Sequence, residues 1–200
     1  PAFETARGCP FLCTFCDQGL DQSKMATFGN KRLHEELMYV GKKLHKLKKG
    51  TGLIAFLDAN WGMYQKDVEF ADSFRKVIEK YDWPKSIYIT TPKSHQENIL
   101  IIDDKLKNRV DFSLSMQSLD DKTLANIKRK NWTQEKYIYF IKEIEKRGKT
   151  PRTEMIIPLP GETEETYLKS TKFLMDHKCK PSTFTLMMLC GAELGRDEAI

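Results

Sequence analysis

From Leu33 to Leu189 the sequence alternates helix-length amphipathic stripes with strand-length apolar runs, and few architectures accept that alternation. Leu33, Leu37, Val40, Leu44 and Leu47 recur at steps of three and four, which lines one face of a helix. Val68, Ala71, Phe74, Ile78 and Tyr81 do the same, as do Tyr137, Ile141 and Ile144. Leu168, Thr171, Leu174 and Met175 form a fourth stripe, with Glu164 and Glu165 set to favour its N-terminus. Residues 94–107 make a weaker fifth. Strand-length runs fall at 3–5, 53–57, 86–90, 110–116, 153–159 and 183–189. They are continuous rather than alternating, as strands covered on both faces should be. Strand and helix in alternation predict an α/β fold with a parallel sheet and helical crossovers. Six strands fit a doubly wound open sheet or part of a β/α barrel, and periodicity does not choose.

The 200 residues suffice for one domain, expected over 1–200 with no second domain inside it. The chain opens at Pro1 rather than Met, and it reads as a piece of something longer. No apolar run approaches the roughly 20 residues of a membrane span, and no basic start precedes an apolar stretch, so neither membrane nor export is expected. The formal charge of +5 allows nucleic-acid contact without arguing for it. Lys42, Lys43, Lys46, Lys48 and Lys49 cluster at the end of the first helix and read as a solvated face.

Five cysteines are present, three of them within one short segment, Arg7-Gly8-Cys9-Pro10-Phe11-Leu12-Cys13-Thr14-Phe15-Cys16. Paired disulfides do not explain that crowding, so metal or redox chemistry is the better reading. Thiolates are soft ligands that select zinc, copper(I) or iron–sulfur clusters. A structural zinc site wants a fourth protein ligand. Cys179 and Cys190 are isolated and distant, and His34 falls inside the first helix. A four-iron cluster normally takes four thiolates. With three, one iron keeps an open position at which a substrate or cofactor binds directly.

Cysteines at this spacing after a first strand resemble the signature of the radical S-adenosylmethionine (SAM) enzymes. The resemblance implies that Cys9, Cys13 and Cys16 hold a [4Fe–4S] cluster whose open iron chelates SAM. It also implies reductive cleavage of SAM to a 5′-deoxyadenosyl radical, and an open six-stranded parallel (β/α)6 partial barrel of the TIM type. Later segments recur in the order that family shows, each after a strand, where parallel β/α folds place their sites. Asp58-Ala59-Asn60 stands where the family meets the SAM amino group, so Asp58 and Asn60 become candidate acceptors. Ser115-Met116-Gln117-Ser118 and Ile127-Lys128-Arg129 are similar to a run in the coproporphyrinogen-oxidase-like branch. By that match Ser115 belongs to the cofactor loop, Gln117 binds ribose and Arg129 binds the SAM carboxylate, which suits its planar fork of donors.

In Glu154-Met155-Ile156-Ile157-Pro158-Leu159-Pro160-Gly161-Glu162-Thr163, Glu154 falls where an acid accepts from ribose hydroxyls, and Ile156 and Ile157 flank adenine. Pro158 replaces a usual glycine and carries no N–H to offer a ligand. Leu189, at the end of the sixth strand, would meet adenine through its backbone. Phe15 lies near adenine or in the core. Cys190 is a packed thiol or a catalytic one, and Cys179 is structural.

The lead Glu4 to Cys9, the loop at Asp58 and the stretch at Gln117 look most like the cobalamin-binding branch, many of whose members methylate unactivated carbons. Cobalamin would enter through a domain outside these residues, because Asp176-His177-Lys178-Cys179-Lys180 does not fit the branch's Asp-x-His-x-x-Gly motif. A tRNA methylthiotransferase, with a similar Arg-Gly-Cys-Pro-Phe lead, is the alternative enzyme. A non-catalytic iron–sulfur or zinc module is the alternative of another class. Expected partners are SAM, an organic substrate the sequence does not name, and an electron donor such as flavodoxin or ferredoxin, in the cytoplasm.

Overall fold

In the computed structural model the described residues are 1–19, 25–47 and 52–196. Lys48 and Lys49 of the lysine cluster lie outside them. The chain divides into two compact units, Pro1–Arg7 with Ala26–Phe112, and Gly8–Met25 with Ser113–Ile200.

The first unit contains strands β1 (Ala2–Phe3), β2 (Ala6–Arg7), β3 (Ala26–Thr27), β4 (Leu53–Phe56), β5 (Ser86–Tyr88) and β6 (Val110–Asp111). Its helices are α1 (Asn30–Leu47), α2 (Gln65–Tyr81) and α3 (Glu97–Lys105). A parallel sheet runs β1-β4-β5-β6, and β2 pairs antiparallel with β3 in a ribbon that apolar spacing did not predict. The α1 stripe buries Leu33 and Leu37 but leaves Leu47 exposed at the helix end, and α2 buries Val68, Ala71, Phe74 and Ile78 of its stripe. Their approach is close at Gly41, where a Cβ would press on Tyr81 and Val77. The core is aromatic. Phe56 lies 4.2 Å from Trp61 and 5.9 Å from Phe74 by ring centroid, with Phe70 at 6.2 Å from Phe74. Such contacts add about 0.5–1.5 kcal/mol each beyond area burial. Buried Asp103 accepts from the Val110 N–H at 2.9 Å and fixes the passage from α3 into β6.

The second unit contains β7 (Leu114–Gln117), β8 (Arg152–Ile157) and β9 (Lys180–Thr185), parallel in the order β7-β8-β9. Its helices are α4 (Asp121–Asn126), α5 (Gln134–Lys146), α6 (Glu164–Asp176) and α7 (Glu193–Arg196). Asp120, Thr133 and Thr163 cap α4, α5 and α6 through their side chains. Within each sheet the parallel strands follow chain order, as they do in a β/α barrel, and the α/β class read from the sequence stands.

Three details differ from the sequence reading. The run at 110–116 is two strands, because the chain changes hydrogen-bonding partners after Asp111, from β5 to β8. The last strand spans Lys180–Thr185 rather than 183–189, and the backbone turns between Met187 and Leu189. The α6 stripe is only half used. Leu174 is buried, but Leu168 and Met175 are 54% and 67% exposed, since α6 lies against β9 at the end of its sheet.

No helix among the described residues is long and apolar enough to cross a membrane.

Candidate cofactor site

The cysteine segment belongs to the second unit and is stitched there by neighbours of Cys13 and Cys16. Thr14 donates its N–H to the Ile127 carbonyl at 3.1 Å, and its own carbonyl accepts from Leu194 at 2.9 Å. The ring of Phe15 packs into an apolar cluster of Leu124, Ile127, Ile156, Leu159 and Leu186, so its role in this structure is to anchor the loop. Cys16 donates its N–H to the Cys13 carbonyl at 3.0 Å, closing a turn between two thiols. Gly19 is required by contact: a Cβ there would strike the carbonyl of Phe11, whose segment it lies against. Cys9 and Cys13 are buried and Cys16 is partly exposed; none of the five cysteines forms a disulfide.

The donor set fits an iron–sulfur cluster. A four-iron cluster takes one thiolate per iron, so its ligands stand apart rather than crowding one ion. Three thiols within one loop are the soft donors that such a cluster takes. Cys179 is 1% exposed and burial pushes its thiol up to about 12, which makes it a protonated packing group, as expected. Cys190 corrects its expectation as a packed thiol: it is exposed, in the turn after β9.

The end of β7 carries Gln117, 6% exposed, with a backbone φ of 65°. That left-handed value is uncommon outside glycine. Its side-chain oxygen is buried without a hydrogen-bond partner among the described residues. Arg129 is buried, although it lies in a basic stretch of the sequence. Its Nε donates to Asn131 Oδ1 at 2.8 Å and another guanidinium nitrogen donates to the Ser115 carbonyl. Buried Tyr137 has its hydroxyl pushed up to about 12 by desolvation, against the pull of Arg129.

On β8, Glu154 accepts from Ser113 Oγ and Ser115 Oγ, each at 3.1 Å, so Ser115 and Glu154 come together across the β7–β8 pair. Glu162, in the turn that follows, accepts from Ser118 Oγ at 2.7 Å, and burial raises its carboxyl above the usual range. Ile157 ends β8 before a cis bond to Pro158. Leu189 lies outside β9, its N–H donating to Met187 O and its carbonyl accepting from Ala192.

Asp58 and Asn60 belong to the first unit. Asp58 accepts from Thr5 N at 2.9 Å, Thr5 Oγ1 at 2.5 Å and Ala6 N at 2.7 Å, while its burial raises the carboxyl. It ties the β1–β2 link to the end of β4. Asn60 Oδ1 accepts from Lys93 N at 3.3 Å. Sequence reasoning missed Asn131, Ser118 and Glu162. Only the position of Asn131 two residues past Arg129 was there to flag it.

The profile of the Radical SAM superfamily matches residues 3–174. The cobalamin-dependent radical SAM methyltransferase TokK of Streptomyces tokunonensis is 28% identical over 170 residues, covering 82% of this chain and 24% of that protein. The tRNA-2-methylthio-N(6)-dimethylallyladenosine synthase of Fusobacterium nucleatum is 26% identical over 170 residues, covering 80% of this chain and 37% of that protein. The chain thus spans a minor part of the curated relatives it matches. Among solved structures, the radical SAM methyltransferase TsrM of Kitasatospora setae, with cobalamin and a [4Fe-4S] cluster bound, aligns at a TM-score of 0.78 and 13% identity, over 97% of this chain and 35% of that one. Its fold is shared. A [4Fe–4S] cluster and SAM are the cofactors the matched family implies, and with 172 of the 200 residues inside the match the chain belongs to the radical SAM superfamily.

Proposed function

We propose that residues 1–200 form a radical SAM core in which Cys9, Cys13 and Cys16 are the cluster ligands. The observation that carries this reading is local. The cysteine loop is bound by Thr14 and Phe15 to α4, and the residues that follow α4, Arg129 and Asn131, hold the turn at Gln117. Ligand thiols and a candidate SAM contact are therefore braced by one short stretch. A cluster held by Cys9, Cys13 and Cys16 would supply the electron for reductive cleavage of the SAM sulfonium.

The chain's own part is to bind and orient. Gln117 offers an unpaired acceptor, and Glu154 accepts from hydroxyls, as it does now from two serines. Arg129 supports β7 and offers a guanidinium for the SAM carboxylate. Ser115, Ile157 and Leu189 complete the nucleoside surroundings within the second unit, where Phe15 anchors the loop; Asp58 and Asn60, in the first unit, are proposed separately as acceptors for the amino group. The reaction we favour is methyl transfer or rearrangement at an unactivated carbon, assisted by cobalamin from another part of the protein; the likeness to TokK supports it. The likeness to the Fusobacterium synthase supports methylthiolation of tRNA as the second reading. Flavodoxin or ferredoxin would supply the electron, and a reducing cytoplasm suits five cysteines that form no disulfide with one another.

The test is anaerobic reconstitution of the full-length protein with iron and sulfide, then incubation with SAM and dithionite. Methionine and 5′-deoxyadenosine are expected together. An intact cluster with neither product rejects the reading. Cobalt absorption in the full-length protein favours the first reaction, and a second cluster favours the other.

A further inference from the structure

At Gln117 the backbone makes a three-residue turn. The Ser118 N–H reaches the Met116 carbonyl at 2.8 Å, and φ at Gln117 is 65°. A turn of this hand is rare and strained at a residue with a side chain, and it persists only where neighbours hold it. Asn131 supplies the hold. Its Nδ2 donates to the Met116 carbonyl and to the Ser118 carbonyl, each at 2.7 Å, so one amide grips the chain on both sides of Gln117. Its Oδ1 accepts from Arg129 Nε, which fixes the orientation of the amide. Ser118 is further held by Glu162. The product of these contacts is a buried Gln117 whose side-chain oxygen has no partner among the described residues.

We propose that Asn131 is a positioning residue for SAM: it clamps the left-handed turn so that the Gln117 amide oxygen faces a hydroxyl or amine of the cofactor. The proposal rests on the reading of Gln117 as a SAM contact and extends it to a side chain that need not touch SAM. Both Nδ2 protons are engaged, so the effect of substitution is graded. Asn131→Asp keeps the acceptor for Arg129 but sets an oxygen against two carbonyls. Asn131→Ser retains one donor.

The experiment uses the full-length protein, reconstituted anaerobically, with SAM binding measured by equilibrium dialysis and the cluster followed by its visible absorption. Asn131→Asp should weaken SAM binding about tenfold, the scale of coupling between side chains in one hydrogen-bond network. Asn131→Ser should fall between it and wild type, and the spectrum should be unchanged in both. The double variant with Gln117→Ala should bind no more weakly than Gln117→Ala alone, because Asn131 acts through Gln117. A purely packing role would not produce that coincidence. Wild-type affinity in Asn131→Asp, multiplied losses in the double variant, or failure of both Asn131 variants to fold would each overturn the proposal. A wild-type protein that holds its cluster yet binds no SAM would instead overturn the underlying reading.

Discussion

In the unit of Pro1–Arg7 and Ala26–Phe112, buried aspartates accept from backbone N–H groups: Asp58 from Thr5 and Ala6, Asp67 from Gly62 and Tyr64, Asp103 from Val110. In the unit of Gly8–Met25 and Ser113–Ile200, Glu154 and Glu162 accept from the hydroxyls of Ser113, Ser115 and Ser118. The two kinds of acceptor behave differently. A backbone donor is fixed by the fold, so the aspartates act as staples within an aromatic core. A hydroxyl rotates, so on the proposed reading Glu154 can exchange a serine for a ligand hydroxyl.

The largest expected effect removes the chemistry and spares the staples. Cys13→Ala should abolish the broad visible absorption of the anaerobic protein, with the thermal unfolding of the apo-protein little changed. An unchanged spectrum would break the assignment of the loop. Next, Asp58→Ala leaves the buried Thr5 and Ala6 N–H donors and the Thr5 hydroxyl without their acceptor. It should cost about 1–3 kcal/mol of stability by denaturant unfolding. Glu154→Gln keeps an acceptor for one serine and should cost under about 1 kcal/mol, while SAM binding weakens severalfold in dialysis. Equal stability losses at Asp58 and Glu154 would erase the contrast.

The smallest effect is a pH dependence. Burial raises the Glu162 carboxyl, so the folded state holds its proton more tightly than the unfolded chain does. Its contribution to stability is therefore greatest below the ordinary carboxylate range, near pH 4, and declines as pH rises through the raised folded value. Partial exposure keeps the change below about 1 kcal/mol. Glu162→Gln should flatten that part of the stability profile, as read from melting temperatures across pH 4–7.

The helices were legible because their stripes recur at the helical period, but the stripe does not say how far along it burial reaches: α1 buries Leu33 and Leu37 and leaves Leu47 exposed, while α2 buries Val68, Ala71, Phe74 and Ile78. The strands were legible as runs, but not where a run changes partners, as it does after Asp111, since apolar residues do not record which neighbour they pair with. Helix α4 is too short to show a period. In the site, the three thiols stood out by spacing alone. Asn131 did not, because it binds backbone carbonyls, and any residue type supplies those. Its function exists only once the turn at Gln117 has formed.

Thr14 bridges two elements with its backbone alone, one group to the end of α4 and the other to α7. A change of side chain leaves such a bridge intact, and Thr14→Ala keeps both bonds. Proline has no N–H and would cut the first of them. The Thr14 part of the seam between the thiol loop and the helices is thus shielded from most substitutions at that position, whereas the Phe15 part depends on its ring.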